Sequence, residues 1–174
     1  MRTDKICRQL GALLETYQQV LQHLPAEEFS RRPFSGGWSR SEVFWHILDA
    51  THLSLQTARD CAEGHGKVRR TPLATRIILF FGSLPPGRYK MPAMLASRSR
   101  SCSAHEAQKL LDRVLSELKR LCPELKKADP AVKTRHPRLG YLNAGQWLRF
   151  AWIHLKHHEK QLQRISRSLS AKAT

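Results

Sequence analysis

Apolar residues recur along most of the chain at helical spacing. Ile6, Leu10, Leu13, Leu14, Tyr17, Val20 and Leu21 form a stripe that predicts a first helix over about residues 4–23, stopped by Pro25. A second begins at Ser39, where Ser39 and Glu42 make an S-x-x-E capping box after Gly36-Gly37-Trp38, and runs to about Gly64. A third opens on the same device, Ser103 with Glu106. It carries Leu110, Leu111, Val114, Leu115, Leu118 and Leu121 before Pro123. The fourth starts at Asn143, with Gln146 three positions on, and continues to about Ser168. Between the second and third lies a long segment, Gly66 to Ser103, rich in Gly, Pro, Arg and Ser. A short helix around Thr75–Gly82 and an extended stretch, Leu84-Pro85-Pro86-Gly87, are expected inside it. Pro130 to Leu142 reads as irregular, and strand signals are nearly absent. The pattern predicts one all-α domain over residues 1–174, an antiparallel four-helix bundle with a long crossover between its second and third helices.

The stripe of the last helix is interrupted in an informative way. Trp147, Ala151, His154, His158, Gln161 and Ile165 follow one another at the spacing of a buried seam, with apolar ends and a polar middle. A buried polar group costs free energy unless something satisfies it. In the second helix His46 sits within the stripe Val43, Ile47, Ala50, Leu53. Three imidazoles plus a water is the ligand set of an open zinc-type site, and nickel, iron or manganese fit the same ligand types. Asp49 and Gln161, each one turn from a histidine, are the candidates to hold the free ring nitrogens. Hydrogen-bonded core histidines are the other reading of the same spacing, and a register using His157 with Gln161 is an alternative. His52 falls off the face of His46, and His136, before Pro137, is expected to order its loop. Trp38, Trp45, Trp147 and Trp152 are expected in helix packing.

Composition adds a charge that the fold does not explain. The 174 residues hold 30 Lys and Arg against 14 Asp and Glu, a formal net charge of +16. The basic residues are scattered, no helix-turn-helix signature appears, and nucleic acid is not the expected partner. No apolar run approaches the roughly 18 residues of a spanning helix, and no helix is read as carrying an exposed bulky apolar face, so no membrane is expected. Cys7, Cys61, Cys102 and Cys122 form no CxxC pair. They are expected as free structural thiols in a reduced, cytoplasmic protein.

Two segments resemble a known family. Gly37-Trp38-Ser39 leads to His46 in WSRSEVFWHILDATH, and residues 136–162 read HPRLGYLNAGQWLRFAWIHLKHHEKQL. Together they resemble the DinB/YfiT-like superfamily of four-helix-bundle metalloproteins, in a subgroup without a settled function. The resemblance implies that His46, His154 and His158 bind a divalent metal, nickel or zinc above all. It also implies a homodimer, and either thiol S-transfer from a low-molecular-weight thiol or hydrolysis of a small molecule. The long basic insertion before the third helix departs from the pattern, as does Gln161 where some relatives place a further histidine. Arg88, Arg135 and Arg138 stand in segments that would rim such a site. No catalytic residue is assigned. The alternative is a non-catalytic helical module, in binding or stress response, whose basic surface recruits an anionic partner.

Overall fold

The computed structural model describes residues 3–33, 36–85 and 100–170. In chain order the elements are α1 (Thr3–Gln22), α2 (Ala26–Ser30), α3 (Arg40–Ala62), β1 (Lys67–Val68), α4 (Leu73–Phe81), α5 (Ala104–Leu125), β2 (Val132–His136), β3 (Gly140–Leu142) and α6 (Ala144–Ser170). The four long helices start where the sequence places them. Both S-x-x-E boxes are closed in both directions, Ser39 with Glu42 and Ser103 with Glu106. Asn143 and Gln146 cap α6 reciprocally, each backbone N–H donating to the other side chain at 3.0 Å.

The chain forms a four-helix bundle built from two antiparallel pairs. Cys7 with Cys122 and Gln18 with Asp112 set α1 antiparallel to α5. Arg40 with Ser166 and His46 with His154 set α3 antiparallel to α6. The long crossover returns the chain to the end where α3 began, so α5 enters alongside it. Contacts at both ends, Cys102 with Ser41 and Glu117 with His52, make α3 and α5 parallel neighbours. Apolar stripes from all four helices meet in one core, with Leu10, Leu14, Phe44, Ile47, Leu48, Leu55, Leu111, Leu121 and Leu155 essentially dry. Arg40 is buried at the start of α3, where its guanidinium donates to the Glu28 carbonyl at 3.0 Å and to Ser166 Oγ at 3.1 Å. It ties α2, α3 and α6 together nearly two turns of α3 before His46.

Several expectations are corrected. Residues 132–142 are not irregular: β2 and β3 form a hairpin, and β1 adds to the other edge of β2, all antiparallel. Gly140, at φ 75°, takes the left-handed conformation that brings the chain back into register, with His136 opposite it. The hairpin stays in place because Trp147 Nε1–H donates to Thr134 Oγ1 at 2.8 Å and Leu142 is buried. The third long helix does not end before Pro123 but runs to Leu125. Pro123 removes one N–H within the last turn, while Lys126 N–H closes the next bond on the Cys122 carbonyl and Leu125 packs into the core.

The cysteines also differ from expectation. Cys7 and Cys122 are not free thiols but a disulfide, with Cα atoms 6.3 Å apart, joining α1 to α5. They lie 115 residues apart in sequence, so only the antiparallel docking of the two helices brings them together. Cys61 and Cys102 are free and buried, as expected of all four. Finally, α4 is a helix with an exposed bulky apolar face, contrary to the sequence reading: Phe80 is 80% exposed and Phe81 72%. Among the described residues no helix is long and apolar enough to cross a membrane. The expected extended stretch is described only to Pro85. Pro86, Gly87 and Arg88 lie outside the described residues.

Candidate metal centre

The antiparallel docking of α3 on α6 decides the site. His46, in the second turn of α3, faces His154 and His158, which stand one turn apart on α6. His154 Nε2 lies 3.2 Å from His46 Nε2 and 3.1 Å from His158 Nε2. The candidate ligand atoms of the three residues all lie within 4.8 Å of one another. Tetrahedral coordination with metal–nitrogen bonds of 2.0–2.1 Å separates two nitrogens by about 3.3 Å, close to both spacings. The three side chains converge on one point from two helices.

Their electrostatics suit a cation. The pKa of His154 falls well below the ordinary value, through desolvation first and then through its neighbours His158, His46, His157 and His136. Burial lowers His46 to about 4 against the pull of the Asp49 carboxylate. Burial lowers His158 to about 3, with His46 adding to the shift and the Gln161 hydrogen bond opposing it. At neutral pH all three are uncharged and offer lone pairs. His158 Nδ1 donates to Gln161 Oε1 at 2.7 Å, which puts its proton on Nδ1 and leaves Nε2 bare toward the cluster. Three neutral imidazoles pointing Nε2 at one another cannot all be satisfied among themselves, since each pair shares at most one proton. A divalent metal satisfies all three, and this donor set can hold one.

Aromatic rings wall the cluster. Phe150, one turn before His154, stacks on its ring at 5.6 Å and 20°. Trp38, in the turn before α3, meets His46 edge-on at 5.2 Å. His136 packs against Phe150 at 4.5 Å, and its Nδ1 accepts the backbone N–H groups of Arg138 and Leu139, both at 3.1 Å. It orders its loop, as expected, and burial lowers it to about 4. With Nδ1 occupied as acceptor, the ring of neutral His136 carries its proton on Nε2.

The remaining candidates fall elsewhere. His157 touches His158 edge-on at 5.2 Å but does not join the converging set, so the register with His157 and Gln161 is not the one adopted. His52 pairs with Glu117 at 2.7 Å, between α3 and α5. Arg135 and Arg138 are exposed on the hairpin. Trp147 is buried, while Trp38, Trp45 and Trp152 pack half-buried against the core. Phe150 is a contributor that the sequence reading did not single out, and Trp38, expected only in helix packing, is a second. Phe150 was within reach, because it lies four residues before His154 on the same helical face. Trp38 approaches His46 from outside any helix, and no spacing rule places it there.

Comparison with known proteins agrees with this architecture. The family model described as the DinB superfamily matches residues 9–162. Among curated proteins none matches the chain. Two solved structures share the fold. TT2238, a four-helix bundle protein, has a TM-score of 0.58 at 22% identity over 93% of this chain and 98% of its own. YfiT from Bacillus subtilis, described as a probable metal-dependent hydrolase with an unusual four-helix bundle topology, has a TM-score of 0.56 at 16% identity. That match covers 97% of this chain and 87% of YfiT. The helical order, the converging histidines and the matched span lead to one conclusion: the chain belongs to the DinB superfamily.

Proposed function

We propose that this protein is a metal-dependent enzyme acting on a small molecule, with His46, His154 and His158 holding one nickel or zinc ion. The observation that carries the reading is the convergence of three half-buried, neutral imidazoles, with Nε2 spacings of 3.1 and 3.2 Å, on one point. A divalent ion there would supply Lewis-acid polarisation and water or thiol activation near neutral pH. The chain's own groups do the rest. Gln161 fixes the orientation and proton position of His158. Phe150 and Trp38 pack on two of the imidazoles and limit their rotation. His136 presents a fixed tautomer in the layer behind Phe150.

Hydrolysis is the first reaction to examine, because the likeness to YfiT favours it. Transfer of a low-molecular-weight thiol to an electrophilic carbon is the second, since the excess of arginine suits a thiol that carries carboxylates. A homodimer is part of the reading and is checked by analytical ultracentrifugation. The test of activity is a panel of small esters, amides and thiol–electrophile pairs with protein loaded with zinc or nickel. Turnover that falls by about a hundredfold or more in His46→Ala supports the reading. Metal-loaded protein that turns over none of the panel faster than His46→Ala points instead to the non-catalytic module.

A further inference from the structure

α4 is a helix turned inside out. Its sequence, LATRIILFF, places Leu73, Ile77, Phe80 and Phe81 at i, i+4, i+7 and i+8, one face of a helix. That face normally packs inward. Here Leu73 is 69% exposed, Ile77 49%, Phe80 80% and Phe81 72%. The side that docks packs Leu79 against the core and is pinned by polar groups. Thr75, buried, donates from Oγ1 to the Leu139 carbonyl at 2.7 Å, and Arg149 Nε–H donates to the Leu79 carbonyl at 3.1 Å. Both ends are defined, by Pro72 at the start and by Gly82 at φ 70° at the close. The helix is therefore fixed on the body of the protein with its apolar face outward.

The surroundings of that face are cationic. Arg76 is exposed on α4 itself, and Lys67, Arg69 and Arg70 are exposed in the segment that leads into it. On the paired strand Lys133 stands directly opposite Lys67 and donates from Nζ to the Arg69 carbonyl, and Arg135 is exposed two residues on. The sequence has no Asp or Glu from Gly64 to His105, and none from Pro130 to His158. Like charges flank the apolar face, so a second copy of a +16 chain meets repulsion there. Phe80 and Phe81 are exposed rings, but they stand edge to face at 88° and share the face with Leu73 and Ile77, which neither stack on nor hydrogen-bond to a base, so the face as a whole suits lipid better than nucleic acid. Apolar side chains neighboured along the chain by cations complement a surface that is apolar beneath and anionic above. Nine residues at 1.5 Å each make about 14 Å, a length that lies in an interface and cannot span one.

We propose that α4 is a peripheral docking helix that seats the protein on an anionic lipid surface. Leu73, Ile77, Phe80 and Phe81 enter the boundary between headgroups and acyl chains, and Lys67, Arg69, Arg70 and Arg76 pair with anionic headgroups. Neither signal suffices alone, and here the two are adjacent. The docking is independent of the metal centre.

The test is cosedimentation of the full chain with vesicles of phosphatidylcholine containing about a third phosphatidylglycerol, at about 0.1 M salt. Wild-type protein binds these vesicles and not pure phosphatidylcholine. Phe80→Ser/Phe81→Ser weakens binding about tenfold or more while leaving the thermal transition in place, because both rings are exposed. Arg69→Glu/Arg70→Glu also weakens it, and His154→Ala/His158→Ala does not, which separates this proposal from the metal reading. The proposal is overturned if the wild type stays in the supernatant, or if the phenylalanine pair proves dispensable. It is equally overturned if single-stranded DNA binds more tightly than vesicles through the same two rings, or if their loss converts a dimer to a monomer.

Discussion

His46 Nε2 and His154 Nε2 lie 3.2 Å apart, although 108 residues separate them in sequence. Two bare imidazole nitrogens at that distance in a buried setting repel unless a proton or a cation stands between them. His158 adds a third nitrogen from the next turn of α6, at 3.1 Å from His154. The bundle thus holds in one place a ligand set whose members gain most from a shared metal.

Gln161 should matter to that set without being part of it. Its carbonyl oxygen accepts a hydrogen bond from His158 Nδ1–H, with N and O 2.7 Å apart. Gln161→Leu removes the acceptor and frees the ring to turn or to change tautomer. Metal affinity is expected to fall about 10- to 100-fold with the fold intact. Competition against a chromophoric chelator measures this. Unchanged affinity would show that packing alone orients His158.

Acid should destabilise the metal-free protein. Burial holds His46 at about 4 and His158 at about 3, and His154 well below its ordinary value of 6.5. Above about pH 6.5 these histidines are neutral in both folded and unfolded chains and their contribution is fully present. As pH falls from there toward 4 and 3, the unfolded chain takes up protons that the folded chain refuses. Stability should drop by about 1.4 kcal/mol per pH unit for each such histidine. Urea midpoints of chelated protein between about pH 7 and 5 follow this. A flat profile would contradict the burial of the cluster.

The Cys7–Cys122 bond should be a major stabilising link. It joins two helices across 115 residues of sequence, so its loss releases a large loop in the unfolded chain. Cys7→Ser/Cys122→Ser, or a reductant, is expected to lower stability by about 3–5 kcal/mol. Thermal unfolding with and without reductant measures it, and an unmoved transition would show that the bond does not form in solution.

The start of α3 places His46, and its cap should be felt. Ser39 accepts from Glu42 N–H, and the Glu42 carboxylate returns the bond to Ser39 N–H at 2.8 Å. Ser39→Ala is expected to cost about 1 kcal/mol in chemical denaturation. No loss would mean that buried Arg40, bonded to Glu28 and Ser166, holds this end by itself.

Much of this was legible because helices announce their starts and faces locally. The boxes at Ser39 and Ser103 and the cap at Asn143 set three helix origins, and the polar gap in the stripe of α6 singled out His154 and His158. What escaped depends on tertiary contacts. The β2–β3 hairpin has short strands with Lys133 and Arg135 in them, and it owes its place to Trp147 and Leu142 more than to strand propensity. The disulfide is invisible to spacing because helix docking alone brings Cys7 to Cys122. The face of α4 misled for the opposite reason. Its period is clear, but periodicity does not say whether a stripe faces the core or the solvent.

The central claim is that the three histidines bind one divalent ion. The most direct measurement is metal content by mass spectrometry of protein purified without an affinity tag, beside His154→Ala/His158→Ala. The account predicts about one metal per chain in the wild type and none in the variant. Wild-type protein that carries no metal, and takes up none from zinc or nickel, would contradict it.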